Sequence, residues 1–314
     1  MRSLLHRGRP RNGPAFCYGA AASDERSDKL AEVFTSNGVA VITGGASGIG
    51  RAAVRKAVAA GMKVVIVDVN PQKLATLQME VSSAAGPERV IAEIVDVADF
   101  TAMEALAQVV EARFGPPALL MNNAAAFVSG GAGGILDPND NWQRLFAVNV
   151  LGIVNGVQAF LPGMLAAGQP AAIVNTGSKQ GLTNPPGNPA YNSTKAAVNA
   201  YTQNLARDLR ERAGARISAH LLIPGWTTTG DAEHRTGAWL PEQVIDYMEQ
   251  TIGRDDFFIL CPDGETTRET DNKRLLWNAF DIILNRPALS RWHPDFRDAF
   301  ASFMRKDLPP DMRG

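Results

Sequence analysis

Apolar residues in this chain fall into short unbroken runs, separated by longer stretches in which they recur every three or four positions. The runs predict strands at 39–43 (VAVIT), 63–68 (KVVIVD), 90–96 (VIAEIVD), 118–122 (ALLMN), 171–176 (AAIVNT), 216–223 (RISAHLLI) and 256–260 (DFFIL). Helical spacing fills 49–60, 71–85, 99–114, 139–166, 190–213 and 241–252, and 266–284 reads as one further helix. Strands of continuous Val, Ile and Leu are covered on both faces, and strand–helix alternation joins them by right-handed crossovers. The expected architecture is α/β, a doubly wound parallel sheet of about seven strands with helices on both faces, in one domain. The body is expected over 38–285. A tail over 1–37 precedes it, and a Pro-punctuated tail over 286–314, holding Trp292, is expected to be irregular and to lie over it.

Composition removes several classes of function. A net charge of −1 leaves no electrostatic footprint for nucleic acid or an anionic membrane. The longest apolar runs, such as 64–67 and 118–121, have strand length and fall far short of the ~20 residues that span a bilayer. Neither nucleic acid nor membrane is therefore an expected partner. The two cysteines, Cys17 and Cys261, make neither a disulfide framework nor a metal site, which suits a reducing compartment and a cytoplasmic location. Arg2, Arg7, Arg9 and Arg11 precede the first acid, Asp24, as in an organelle transit peptide. Pro10, Gly13 and Pro14 interrupt any amphipathic helix there, so a disordered tail or an overlong start is the preferred reading and organelle targeting the alternative.

The glycines point to chemistry. Thr43-Gly44-Gly45-Ala46-Ser47-Gly48-Ile49-Gly50 follows the first strand and opens the first helix. Glycines let the backbone turn tightly against a pyrophosphate, and the helix amino end offers free N–H donors. A Gly-rich string alone often marks only a turn, but here a second strand ends on Asp68, where an adenosine ribose should lie. A carboxylate there can accept both ribose hydroxyls and repels a 2′-phosphate. Val69 and Asn70 follow with no Arg, so NAD is expected over NADP.

Tyr191 and Lys195 stand one helical turn apart within 190–213, so phenol and ammonium share a face. A nearby ammonium favours the phenolate, which makes a general base for an alcohol proton. Alone, such a pair is as often an ordinary surface i,i+4 contact.

With the glycine loop, Asp68 and the Tyr191/Lys195 pair in hand, residues 38–230 resemble the short-chain dehydrogenase/reductase family of Rossmann-fold enzymes. Further motifs in the family's order carry the resemblance: Asp96-Val97 beside adenine, Asn122-Asn123-Ala124-Ala125 after the fourth strand, Asn149 in the following helix, Ser178 thirteen residues before Tyr191, and Pro224-Gly225 with Thr227 at the nicotinamide end. Ala125 stands where the family has glycine, and 129–134 (SGGAGG) lengthens a loop near the site. The resemblance implies that Tyr191 exchanges a proton with an alcohol or ketone oxygen. It also implies that Lys195 lowers the tyrosine pKa and holds the nicotinamide ribose, that Ser178 steadies the substrate oxygen, and that Asn149 holds a water in line with Lys195. Thr43, Gly44, Ser47, Gly48, Ile49, Gly50, Asp68, Asp96, Val97, Asn123, Ala124, Ala125, Pro224, Gly225 and Thr227 would, with Tyr191 and Lys195, hold the cofactor.

The expected function is interconversion of a secondary alcohol and a ketone with NAD. Two other readings stay open, a catalytically silent NAD(H)-binding sensor or scaffold and a change of reaction to enoyl reduction or dehydration. Residues 179–190, 225–240 and the tail around Trp292 should line the mouth, with Trp226, Trp239 and Leu182 as an apolar wall, which favours an apolar or aromatic substrate. Lys179, His234 and Arg235 leave an anion open. His220 reads as a satisfied strand residue and Cys261 as a small buried apolar one, and no metal is expected. By resemblance, helices 139–166 and 190–213 build the faces of a homodimer or homotetramer.

Overall fold

The computed structural model describes residues 34, 36–127, 135–136, 138–229, 233–264 and 266–312. Most of the expected amino-terminal tail and the 129–134 insertion lie outside the described residues. The first half of the chain runs β1 (Val39–Thr43), α1 (Gly48–Ala59), β2 (Lys63–Asp68), α2 (Pro71–Ala85), β3 (Val90–Ile94), α3 (Phe100–Phe114) and β4 (Leu119–Asn122). Next come α4 (Asn139–Phe146), a π turn (Ala147–Leu151), α5 (Gly152–Ala167), β5 (Ala171–Thr176), α6 (Gln180–Thr183) and α7 (Pro189–Glu211). The chain closes with β6 (Ile217–Ile223), α8 (Pro241–Ile252), β7 (Phe258–Leu260), α9 (Arg268–Ile283) and α10 (Arg297–Met304).

All seven strands form one parallel sheet in the order β3-β2-β1-β4-β5-β6-β7. Alternate residues of each strand feed opposite layers, as the period of two requires. Ala40, Ile42, Val64, Ile66, Leu119 and Met121 pack with α1, α2 and α8. Val41, Val65, Val67, Leu120 and Ile173 pack with α3, α5 and α7. The strand order reverses between β1 and β4, so the helices that follow those strands diverge and open a crevice at the strands' carboxyl ends.

Three expectations need correction. The stretch 139–166 is not one regular helix, because the π turn interrupts it at Asn149. That helical span, Asn139–Ala167, is also long and apolar enough on composition to cross a membrane, although its apolar runs are short. Val157, Phe160 and Met164 instead bury in the layer against α3 and the sheet, which accounts for the apolar content. Finally, the segment beyond Arg286 is not wholly irregular, since it includes α10. Its anchor is Trp277 of α9, buried against Phe300 and Phe303 and donating Nε1–H to Ser290 Oγ at 2.8 Å, while Trp292 is partly exposed.

Candidate active site

The carboxyl ends of the strands border one cleft of about 1160 Å³. Of the residues expected to hold a cofactor, Gly44, Ser47, Gly48, Ile49, Asp68, Asp96, Val97, Asn123, Ala124, Ala125, Pro224, Gly225 and Thr227 line it, together with Ser178, Tyr191 and Lys195. Thr43, Gly50 and Asn149 do not, and each has a different job. Thr43 Oγ1 accepts from the N–H groups of Asn123 and Ala124 at 2.9 and 3.1 Å, tying the end of β1 to the loop after β4. A Cβ on Gly50 would stand 2.2 Å from the Gly44 carbonyl oxygen, so its glycine lets α1 close onto the loop.

The cradle fits a dinucleotide. Gly44 and Gly48 hold φ of +61° and +51°, conformations that disfavour any side chain, and the loop leads directly into the amino end of α1. Asp68 accepts from Ala46 N at 3.0 Å through Oδ2 and from Asn70 N at 3.0 Å through Oδ1, and each oxygen keeps a further lone pair. Asp96 Oδ1 takes the N–H of Ala98 at 2.9 Å in the turn after β3, a strand that ends at Ile94, two residues earlier than the apolar run suggests. Beside Ala46 and Ser47, a recess of about 270 Å³ is lined by the cations Arg51 and Lys73 and by the carboxylate Glu80.

Tyr191 sits in the first turn of α7. Asn188 caps that turn by accepting from the Tyr191 N–H at 3.3 Å, and Pro189 occupies the first helical position. Lys195, one turn on, is buried. Its Nζ donates to the Thr176 carbonyl at 2.8 Å and lies 5.7 Å from the centroid of the Tyr191 ring. Ser178 accepts from Gln180 N at 3.2 Å and hydrogen-bonds the phenol. Burial pushes the Tyr191 phenol up to about 12, with the Ser178 bond opposing, and burial pushes Lys195 down to about 8. The expected lowering of the tyrosine by Lys195 is therefore not a property of the protein by itself: desolvation wins, and the ammonium bonds a backbone carbonyl.

Asn149, fully buried on the π turn, accepts from Ala126 N at 2.7 Å and donates to Ala126 O at 3.1 Å and Thr194 Oγ1 at 3.3 Å. Its side chain clamps the loop after β4 to α7.

The expected mouth is only partly right. Trp226, Lys179 and Gln180 line the cleft, but Leu182, Trp239 and Trp292 do not. Leu182 joins an inner apolar group with Ile153 and Val198, and Trp239 packs edge-on against Tyr247 at 5.8 Å. Sequence reasoning missed Phe127, which stacks on Tyr191 at 5.1 Å, and Arg144, a cation in the cleft wall. Arg144 stands five residues before Asn149, off the face that i,i+3 and i,i+4 spacing defines, so periodicity did not mark it. Nothing local marks Phe127. His220 is held at both ring nitrogens by Asp256 O and Ser218 Oγ, and burial pushes the Cys261 thiol up to about 12, which suits inert structural residues.

Fold and cleft define a nucleotide-binding oxidoreductase, and the family model described as short chain dehydrogenase matches residues 38–238, so the chain belongs to that family. It is 33% identical over 250 residues to a sulfoacetaldehyde reductase of Chromohalobacter salexigens, covering 77% of this chain and 96% of the relative. A short-chain dehydrogenase/reductase from Burkholderia phymatum in complex with NAD superposes with a TM-score of 0.71 at 32% identity, covering 81% of this chain and 96% of that one. A metagenomic family member in complex with NADP gives 0.61 at 27%, covering 73% and 98%.

Proposed function

We propose that this chain is an NAD-dependent oxidoreductase that interconverts a secondary alcohol and a ketone, with Tyr191 taking and returning the hydroxyl proton. The observation that carries the reading is the convergence of Tyr191, Lys195 and Ser178 on the same cleft as the glycine loop and Asp68. A binding module has no use for a buried phenol and ammonium held one turn apart.

Bound NAD supplies the hydride acceptor and a positive ring. The rest belongs to the chain. Ser178 hydrogen-bonds the substrate oxygen and steadies charge as it develops. Tyr191 accepts the proton in oxidation and donates it in reduction. Its pKa of about 12 means that the ionised form depends on added positive charge in the cleft, and Lys195 contributes part of it. Lys195 and the backbone of the π turn offer the proton a way toward solvent. NAD is preferred over NADP because the Asp68 carboxylate is fixed at the ribose position by Ala46 and Asn70. Arg51 and Lys73 work against that preference, which makes relative affinity for NADH and NADPH a direct check.

Phe127 and Trp226 support an apolar or aromatic substrate. A second reading, a carbonyl compound with an acidic group, is favoured by Arg144 in the cleft wall and by the relative named a sulfoacetaldehyde reductase. A cytoplasmic homodimer or homotetramer completes the proposal. The test is a panel of apolar, aromatic and acid-bearing secondary alcohols with NAD at alkaline pH, followed by the appearance of NADH. Turnover of at least one class is expected. NADH binding without turnover of any member would instead favour the silent sensor.

A further inference from the structure

The mechanism leaves out a buried ion group behind the cleft wall. Lys179, next in sequence to Ser178, points its Nζ at Asp263 Oδ2 at 3.0 Å and Asp271 Oδ2 at 2.6 Å. The side chains are 15%, 7% and 4% exposed. Asp263 Oδ2 also accepts from the backbone N–H of Trp226 at 3.2 Å. A Cβ on Gly225 would stand 2.4 Å from that same oxygen and 2.9 Å from Lys179 Nζ, so the glycine lets the turn press directly on the pair. Arg274 reaches Asp271 from the far side at 3.8 Å.

These contacts join four pieces of chain. Lys179 follows β5, Gly225 and Trp226 follow β6, Asp263 follows β7, and Asp271 belongs to α9. Two of the pieces carry the expected working groups, Ser178 on one and the Pro224-Gly225 turn on the other. Burial raises the Asp271 pKa while Lys179 opposes the rise, so the carboxylate depends on its partner for its charge. Ordering three charged side chains away from water is costly, and apolar residues of similar volume are often as stable. Such a group is better explained by what it holds in place.

We propose that Lys179 is a positioning residue: clamped between Asp263 and Asp271, it sets the Ser178 backbone and the Gly225–Trp226 turn against one another, and so makes the segment carrying α9 a working part of the active site. The inference rests on the reading of Ser178 and Tyr191 as the reacting end of the cleft. It also means that Lys179, although it lines the cleft, has its charge answered by two carboxylates and does not serve as a free cation for an anionic substrate.

The test uses the full chain carrying Lys179→Met, Lys179→Arg or Asp271→Asn. Hydrogen–deuterium exchange needs no substrate. Lys179→Met and Asp271→Asn should raise exchange together in 178–183 and 223–228, and Lys179→Arg should restore the wild-type pattern. On any carbonyl compound that the wild type reduces, Lys179→Met should lower kcat by about 10–100-fold, the scale of an ångström-sized misplacement. The KM for NADH should stay unchanged and Lys179→Arg should recover most of the rate. If Lys179→Met fails to fold, Asp271→Asn, which keeps the side chain's shape, gives the same readings. Faster exchange confined to 268–283, or an unchanged kcat, overturns the proposal. A wild type that turns over no alcohol or ketone defeats the functional reading instead, and the exchange pattern then decides the positioning role alone.

Discussion

At the scale of residues, the pairing of Tyr191 with Lys195 is a compromise between burial and charge. Desolvation drives the phenol and the ammonium toward their neutral forms, up to about 12 for one and down to about 8 for the other. Alcohol oxidation needs the phenol ionised, so its kcat/KM should climb with pH through the alkaline range, while ketone reduction should fall. Lys195→Met should displace the oxidation limb to higher pH; a profile that stays in place would remove Lys195 from the tyrosine's electrostatics. The same variant carries a stability prediction. With a folded pKa near 8 against an ordinary value of 10.5, the wild type is penalised below pH 8 and gains stability as pH rises between those values. Lys195→Met should therefore raise the urea midpoint at pH 7 while slowing turnover. The residue types and their one-turn spacing were legible in the sequence. The direction of the tyrosine shift was not, because burial comes from Phe127 and the strand ends, which lie far away in the chain.

At the scale of elements, the site depends on how closely α6 approaches α7. Gly181 of α6 lies against the backbone of α7 at Lys195, where a Cβ would come within 2.5 Å of the Lys195 carbonyl carbon. Backbone cannot swing aside, so Gly181→Ala should push α6, and with it the Ser178 turn, off the helix. Overpacking of this kind costs roughly 1–3 kcal/mol in denaturant unfolding. It should lower kcat more than NADH affinity, since the glycine loop lies elsewhere. An alanine variant with wild-type stability and kcat would show that the close approach is unimportant. Nothing in the run KQGLTN announces a helix of four residues, and periodicity cannot resolve so short an element. The π turn at Asn149 was hidden for a related reason, since apolar spacing hardly changes when a helix widens for one turn. The five central strands were legible to within a residue because both faces are buried, which leaves unbroken apolar runs between polar loops, whereas the edge strands β3 and β7 are each two residues shorter than expected.

At the scale of the whole molecule, the sheet order places the nucleotide cradle and the reacting end on the same edge, and the carboxy-terminal segment closes the far side through Asp263 and Asp271. That contribution was invisible beforehand, because charges 84 and 92 positions from Lys179 share no local pattern. We expect light scattering at micromolar protein to show a dimer or tetramer, and dialysis against a chelator to leave turnover intact. A monomer would overturn the first expectation, and chelator-sensitive activity the second. The central claim is that Tyr191 moves the proton, and the most direct measurement is Tyr191→Phe assayed in parallel for turnover and for NADH binding by fluorescence. Loss of a positioned general base predicts a fall in kcat of about 10²–10⁴-fold with NADH affinity unchanged, whereas near-normal turnover by the phenylalanine variant would contradict the assignment.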